Sequence, residues 1–239
     1  MGHIVAAAEF EVSGDIAMFS EPIQRTGGGK ASYPIPTYEA IKGICKSIYW
    51  KPSIIWIVDS IRVMNRIERE RPYGVRTLNW ADSKNGLQTY LYLRKVRYQV
   101  KAHIEYNLNR PEMASDRNDR KHRAILERSL ENPRYPAFLG CSECEAYVTP
   151  CTFGEGEGYY DGSGKMEFGV MYHGITYPDE AYSPATRGAM TVRMDEIVMD
   201  DGIINFTPPS RCGIQKFIKK MEAGKLGISI EEEEKNDAV

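Results

Sequence analysis

Alternating apolar and polar positions predict β-strands at several places before residue 153. Residues 4–17 carry apolar side chains at even positions, and residues 53–64 are rich in β-branched residues. The clearest alternation runs over 93–106, where the polar positions are Lys95, Arg97, Gln99, Lys101 and His103. One face of this strand is therefore predicted to enter the core, and the other to be basic.

Apolar residues spaced three and four apart predict two helices. The first follows Thr37, carries a stripe from Ile41 to Ile48 and ends near Trp50. Tyr49 lies at the edge of that stripe, which predicts a packed ring with its hydroxyl in solvent. The second helix covers 116–132, with Asp116 or Ser115 as its cap, and directs three apolar side chains inward: Ile125, Leu126 and Leu130.

The order of these elements predicts the fold of the first 153 residues. A further strand is predicted over 143–153, so the pattern strand-helix-strand occurs twice. This order is typical of an α+β, ferredoxin-like (RRM-like) split βαβ domain, whose four-stranded sheet leaves one face without helices. We therefore expect a ferredoxin-like domain over 1–153.

Beyond residue 153 the pattern changes to glycine-rich turns and short strands. A hairpin is predicted from 190–199 and 202–206, joined by Asp200 and Asp201. We therefore expect a small antiparallel β domain over 154–213, and a short helix with an acidic tail over 214–239.

Composition places the chain among ordinary globular proteins. It has 239 residues, of which 42% are hydrophobic and 27% are charged, unlike disordered, collagen-like or coiled-coil sequences. The longest stretch without charge is far shorter than the roughly 20 apolar residues of a membrane span. Since the first residues also lack the pattern of a secretory signal, we expect a cytoplasmic protein.

The cysteines favour reduced thiols. Five cysteines at irregular spacing do not suggest a disulfide framework. Cys141 and Cys144 form a C-x-x-C pair that Cys151 and Cys212 could complete as a zinc site, but a second closely spaced pair is missing. The Gly27–Lys30 run does not have Walker A spacing. We therefore expect neither a metal ion nor a cofactor.

Positive charge is concentrated in two blocks. Residues 94–134 contain eleven Lys/Arg against six Asp/Glu, a net charge of +5, and residues 61–80 have a net charge of +3. Such blocks indicate a phosphate-binding surface, although a solvated face would show the same composition. The candidate RNA-binding side chains are Arg62, Arg76, Lys95, Arg97, Lys101, Arg117, Arg120 and Arg123.

The first turns of the second helix contain an unusual number of cations, including Lys121 and His122. The helix dipole disfavours cations at this end, so a docked anion would explain them, as would pairing with nearby acidic residues. His122 faces inward, where it is either a packed core residue or a neutral proton acceptor. Because no catalytic triad or carboxylate pair stands out, the available groups favour RNA cleavage through the substrate's own 2′-hydroxyl.

Several spaced motifs together resemble one family. The segments 36–43 (PTYEAIKG), 47–52 (SIYWKP), 74–76 (GVR) and 116–122 (DRNDRKH) are similar to those of the Cas5d group of CRISPR-associated proteins. The resemblance implies the precursor CRISPR RNA endoribonuclease of subtype I-C, cutting without a metal at the base of the repeat hairpin. It also implies that Tyr49, Lys121 and His122 are the catalytic residues.

The resemblance implies partners as well: CRISPR repeat RNA, the 5′ handle of the mature crRNA, and the other subunits of the type I-C interference complex. Two alternatives remain. A member of the same family could bind the handle without cutting, which the joint presence of Tyr49, Lys121 and His122 disfavours. A generic single-strand RNA-binding module is the other, but strand 95–106 lacks the aromatic residues on which bases would stack.

Overall fold

The computed structural model describes residues 3–22, 30–70, 75–78, 85–88 and 90–222. Within these residues the fold is α+β, with a large and mostly antiparallel sheet and two α-helices. The elements are β1 (Ile4–Ala17), β2 (Lys30–Ala31), α1 (Tyr38–Ile48), β3 (Ile54–Val63), β4 (Glu68–Glu70), β5 (Val75–Leu78), β6 (Asn85–Gln88), β7 (Tyr90–Tyr106), α2 (Asp119–Glu131), β8 (Ala137–Phe138), β9 (Glu145–Pro150), β10 (Lys165–Thr176), β11 (Ala189–Asp200), β12 (Ile203–Asn205) and β13 (Ile214–Lys220).

Side-chain caps determine where both helices begin. The hydroxyl of Thr37 accepts the Ala40 N–H at 3.2 Å, which confirms the predicted start of α1. The predicted cap of α2 is wrong: Asn118 caps this helix by accepting the Lys121 N–H at 3.1 Å. Residues 111–116 form a separate 3₁₀ helix, so Asp116 lies before α2 and its carboxylate is available to other partners.

Four strands from the first 153 residues pair in the order β3-β7-β1-β9, all antiparallel. β1 pairs with β7 along almost its whole length, for example Phe10 with Val100 and Val12 with Tyr98. These side chains are buried and face the helices, with α1 packed on β3 and α2 packed on β1 and β9. The predicted alternation of β7 is confirmed except at Gln99, which is buried.

Strands from beyond residue 153 continue the same sheet. β11 and β12 form the predicted hairpin, and its turn residues Asp201 and Gly202 both have positive φ, as a tight two-residue turn requires. β12 then pairs with β3, for example Ile204 with Ile61. Residues on both sides of position 153 therefore share one eleven-stranded sheet, and β5 with β6 forms a separate hairpin.

The short helix predicted within 214–239 is not present in the part of that range that the structure describes. Residues Ile214–Lys220 instead form β13, which pairs with β11. The strand forms because Phe217 and its neighbours find an open edge of β11, a contact between distant residues that local spacing does not reveal. The acidic residues 231–239 lie outside the described residues.

Part of the face of the sheet opposite the helices is covered by the glycine-rich segment 153–161. Gln99 donates to the Glu155 carbonyl at 2.8 Å and accepts the Gly154 N–H at 2.9 Å. Arg62 donates to the Gly156 carbonyl at 2.9 Å and to Asp161 at 2.7 Å. These bonds explain why Gln99 is buried although its neighbours in sequence are exposed. Among the helices of the described chain, none is long and apolar enough to cross a membrane.

Candidate functional site

Tyr49 and His122 are brought together by the ends of the two helices. Tyr49 is the residue that ends α1, in extended conformation, and its carbonyl accepts the Trp56 Nε1–H at 2.7 Å. Its hydroxyl lies 2.8 Å from Nδ1 of His122. The prediction of a solvated hydroxyl is wrong, because Tyr49 is only 3% exposed and His122 is 0% exposed.

The hydrogen bonds of His122 define its tautomer. Nε2 lies 2.9 Å from the backbone carbonyl of Asp116, and a carbonyl oxygen can only accept. In the neutral ring the hydrogen is therefore on Nε2, and Nδ1 accepts the Tyr49 hydroxyl hydrogen. The rings of Tyr106 and His122 pack in a T-shaped arrangement, with centroids 5.8 Å apart. This geometry presents Nδ1 as a proton acceptor for Tyr49.

Asp116 connects the buried pair to the surface. Its carboxylate accepts hydrogen bonds from Ser53 at 2.6 Å, from Lys51 at 3.3 Å and from Lys121. Burial alone would raise the pKa of Asp116, but the bonds from Lys121, Ser53 and Lys51 outweigh it and hold this pKa well below the usual range. Asp116 is therefore an anion throughout the physiological pH range.

Tyr49 and Lys121 have opposite environments. Burial, followed by the charge of Asp116, raises the pKa of the Tyr49 hydroxyl to about 12. Lys121 is exposed on the first turn of α2, and its hydrogen bond to Asp116 raises the pKa of its ammonium group. The tyrosine is therefore neutral and the lysine is charged at neutral pH.

The other cations predicted on α2 divide into two groups. Arg120 and Arg123 are exposed on the same helix as Lys121. Arg117 precedes the helix, and its guanidinium donates to the carbonyls of Asn107 and Arg110, both at 3.4 Å. Arg117 thus stabilises the segment that precedes α2. Arg120 and Arg123 instead face solvent beside the candidate site.

The basic residues of β7 lie on the sheet, away from the Tyr49–His122 pair. Arg97 pairs with Glu11 at 2.8 Å, and Lys101 pairs with Glu9 at 3.5 Å. Lys95 is exposed at an irregular position of the strand with φ +46°. The sequence pattern did not show these acidic partners, because they come from β1 and depend on the register between distant strands.

Arg62 and Arg76 are the two candidate RNA-binding residues from the basic block 61–80, and the structure describes the side chain of Arg62 only. Arg62 is buried and bonded to Gly156 and Asp161, so its guanidinium holds the glycine-rich segment and does not face solvent. Arg76 belongs to β5, and its side chain lies outside the described part of the chain.

The cysteines do not assemble with other ligands. Cys141 and Cys144 place their sulfur atoms 3.4 Å apart, and all five cysteines are free thiols. Within the described residues no three His, Cys, Asp or Glu side chains are grouped to hold a metal ion. The four-cysteine zinc site considered above is therefore not formed.

Comparison with known families gives an independent result. The family model for CRISPR-associated protein (Cas_Cas5), of the Cas5d type, matches residues 8–207. This chain belongs to the Cas5d family. The matched range contains every residue of the cluster around Asp116.

Individual relatives of this Cas5d chain agree with the family match. The CRISPR pre-crRNA endoribonuclease Cas5d of Thermus thermophilus is 28% identical over 190 residues, covering 75% of this chain and 78% of that protein. The protein of the same name from Mannheimia succiniciproducens is 39% identical over 57 residues, 24% of each chain.

Solved structures share the fold of this Cas5d chain. The crystal structure of a CRISPR-associated protein has a TM-score of 0.73 at 29% identity and covers 90% of this chain and 99% of its own. A functionally uncharacterized protein from Streptococcus mutans has a TM-score of 0.73 at 31% identity, with coverage of 90% and 100%.

The Cas5d site contains residues that sequence analysis did not single out as functional. Lys51 and Ser53 lie in the turn between α1 and β3, and Asp116 was considered only as a helix cap. The sequence signal that could have identified Lys51 is its position two residues after Tyr49, a candidate catalytic residue. The assembled groups offer a proton acceptor, a hydroxyl and two cations within one cluster, which is what transfer of a proton at a phosphate ester requires.

Proposed function

We propose that this Cas5d protein is an endoribonuclease that cleaves CRISPR repeat precursor RNA. The observation that carries the proposal is the hydrogen bond between the Tyr49 hydroxyl and Nδ1 of His122, with Lys121 on the adjoining surface. The names of the curated relatives, CRISPR pre-crRNA endoribonuclease, support the substrate class. Subtype I-C and cleavage at the base of the repeat hairpin are part of this proposal.

The proposed nucleophile is the 2′-hydroxyl of the RNA. Tyr49 is a poor base on its own, because its pKa of about 12 keeps the phenol protonated at neutral pH. Its oxygen can nevertheless accept the 2′-hydroxyl proton while its own proton moves to Nδ1 of His122. The Asp116 carbonyl on Nε2 orients the ring and favours the imidazolium that forms.

Lys121 is proposed to stabilise the charge that develops on phosphorus. Attack by the 2′-oxygen raises the negative charge on the non-bridging oxygens, and an ammonium group beside them lowers that barrier. Proton transfer and charge stabilisation both come from side chains, so the proposed reaction needs no metal ion. It leaves a 2′,3′-cyclic phosphate and a 5′-hydroxyl.

We further propose that residues 1–153 form the RNA-binding and catalytic part, with a ferredoxin-like arrangement. The strand order β9-β1-β7-β3, with helices after β1 and after β7, supports this assignment. Arg120 and Arg123 are the proposed phosphate contacts beside the site. After cleavage the protein is proposed to keep the 5′ handle and to join the other subunits of the type I-C interference complex.

One observation favours a second function, binding of the handle without cleavage. Tyr49 and His122 are almost completely buried, which is also what a purely structural contact would show. Under this alternative the pair stabilises the helix ends, and RNA contacts only the exposed cations.

Incubating the protein with its cognate repeat RNA in EDTA distinguishes the two functions. We expect cleavage to a 2′,3′-cyclic phosphate, identified by treating the products with phosphatase and kinase. A matched RNA with one 2′-deoxy substitution upstream of the cut should bind but remain intact, with or without magnesium. Bound but uncut repeat RNA would support the handle-binding function, and efficient cutting of the 2′-deoxy RNA in magnesium would contradict the proposed mechanism.

A further inference from the structure

One carboxylate group contacts two lysines that come from different parts of the chain. Lys51 follows α1 and Lys121 begins α2, yet both ammonium groups donate to the same oxygen, Oδ1 of Asp116. The side chains of Lys51 and Lys121 are 33% and 45% exposed, so solvent and ligands can reach both. The two cations are therefore neighbours at the surface next to the Tyr49–His122 pair.

The same aspartate also holds the buried side of the site. Its Oδ2 accepts the Ser53 hydroxyl at 2.6 Å, and its backbone carbonyl accepts the Nε2–H of His122 at 2.9 Å. Ser53 is anchored in turn, because its carbonyl accepts the Asn107 N–H at 2.9 Å. The position of Asp116 thus determines the positions of both lysines and of the His122 ring.

We propose that Lys51 is a second catalytic cation, which contacts the scissile phosphate together with Lys121, and that Asp116 is the residue that positions both. This inference rests on the proposed ribonuclease function and gives Lys51 and Asp116 roles that the family resemblance did not supply. In this proposal an oxygen of the phosphate accepts a hydrogen bond from each ammonium group, while Oδ1 of Asp116 keeps the two groups close together.

Two cations suit the charge change of the reaction. As the bond from the 2′-oxygen to phosphorus forms, the charge on the phosphoryl group increases by one unit. The bond from phosphorus to the 5′-oxygen then breaks, and this oxygen leaves with the electron pair and takes a proton from water. A pair of cations interacts more strongly with the more highly charged intermediate, so Lys51 should accelerate cleavage more than it strengthens binding.

Asp116 should weaken the binding of RNA, whereas the two lysines should strengthen it. Its negative charge lies beside the place proposed for the phosphate, so it repels RNA while it orients the lysines. Loss of this charge should therefore leave the affinity for RNA unchanged or higher, and slow the cleavage step. A residue that served only the fold would not separate the two quantities in this way.

The test compares single-turnover cleavage with RNA affinity in three lysine variants. We expect Lys51→Met to slow cleavage about tenfold or more at saturating protein, with less than about a threefold change in the dissociation constant. Lys51→Arg should restore most of the rate, since it returns the charge. Lys165→Met, which removes an exposed lysine at the start of β10, is the control and should cut as the wild type does.

Asp116→Asn tests the positioning role, with the melting temperature measured alongside. We expect slower cleavage and equal or tighter RNA binding. Ser53→Ala, which removes one bond to Asp116 without changing any charge, should slow cleavage less and in the same direction.

Two results would overturn the inference while leaving the proposed function intact. One is wild-type cleavage by Lys51→Met in a preparation whose wild-type protein cuts the RNA. The other is a parallel loss of affinity, rate and melting temperature in both Asp116→Asn and Ser53→Ala. Failure of the proposed function would look different, since the wild-type protein itself would then leave the repeat RNA uncut.

Discussion

At the scale of single residues, the hydrogen bonds of His122 define what Tyr49 can do. Because Nε2 is committed to the Asp116 carbonyl, Nδ1 is the nitrogen that exchanges a proton with Tyr49. A change at either side chain therefore removes the same proton path without removing any cation from the surface.

This geometry predicts a separation of cleavage from binding. We expect His122→Ala and Tyr49→Phe each to reduce the single-turnover cleavage rate by about a hundredfold or more, the range typical of general acid–base catalysis, with little change in RNA affinity. Tyr49→Phe is the sharper variant because it removes only the hydroxyl from a packed ring. Equal losses of affinity and rate would instead assign the pair a structural role.

A second buried histidine predicts how stability depends on pH. His173 bonds to the Thr207 carbonyl and to Arg193, and its ring stacks on Tyr38 with centroids 4.1 Å apart. Burial, followed by the charge of Arg193, lowers the pKa of His173 to about 4. In the unfolded chain its pKa is about 6.5, so below that pH the unfolded state binds a proton that the folded state does not.

The free energy of unfolding should therefore decrease as the pH falls from about 6.5 to about 4. Urea titrations of the wild type and of His173→Gln at pH 7 and pH 5 measure this effect. We expect the wild type to lose more stability than His173→Gln over this interval. Equal losses in the two proteins would show that His173 does not contribute to the dependence.

At the residue level, the sequence draws attention to positions where a local rule is broken. Lys121 and His122 stood out because cations are unfavourable at a helix N-terminus. Arg62 and Gln99 could not be placed correctly, because their burial depends on segment 153–161 folding back over the sheet. The importance of Asp116 was equally hidden, since two of its partners, Lys51 and Ser53, are more than sixty residues away.

At the scale of elements, the cap of α2 has a double effect. Asn118 accepts the backbone N–H of Lys121, so the residue that begins the helix also fixes the direction of a catalytic candidate. Thr37 performs the same capping on α1, where no catalytic candidate lies in the first turn. Substitution of Thr37 is therefore a matched control for substitution of Asn118.

We expect Asn118→Ala and Thr37→Ala each to lower the free energy of unfolding by about 1 kcal/mol. Asn118→Ala should in addition slow RNA cleavage, because Lys121 and His122 follow directly in the helix. Thr37→Ala should cleave at the wild-type rate. Urea denaturation and single-turnover kinetics on the same preparations measure both effects, and equal rates in the two variants would contradict the link between cap and site.

Helices and strands with a regular spacing of apolar residues could be predicted from the sequence. Strands that form only because they pair with a distant strand could not. α1, β3 and β7 follow from apolar spacing, and the turn at Asp201 follows from its residue types. β13 was mistaken for a helix because its seven residues, IQKFIKK, do not alternate between apolar and polar side chains. Pairing with the open edge of β11 is what makes them extended. Long-range pairing of this kind leaves no signal in a short window of sequence.

At the scale of the whole molecule, the distribution of charge leads us to expect that the proposed RNA contacts lie on the helix side of the fold. The acidic side chains of β1 pair with Arg97 and Lys101, and segment 153–161 covers part of the face of the sheet without helices, at Arg62 and Gln99. Arg120, Lys121 and Arg123 are exposed together at the start of α2. This end of α2, beside Lys51, is thus the favoured surface for phosphate groups.

This distribution predicts a steep dependence of RNA binding on salt. The logarithm of the affinity should fall linearly with the logarithm of the salt concentration, with a slope of about −0.7 for each single-stranded phosphate contacted. Replacing Arg120 and Arg123 by Gln should make the slope shallower. Deletion of the acidic residues 231–239 should leave binding intact, and a flat salt response of the wild type would contradict the electrostatic argument.

The pairing of β12 with β3 also has a consequence for how the chain folds during its synthesis. β3 is complete when residue 63 has been made, but the strand that pairs with its outer edge at Ser60–Arg62 is made 140 residues later, at Ile203–Asn205. Until then the backbone donors and acceptors of that edge are unpaired in the growing chain, and such an edge can pair with strands of neighbouring nascent chains. Slow translation between these two points, or truncation before residue 203, would therefore promote aggregation at β3 although every residue of the candidate site had already been synthesised.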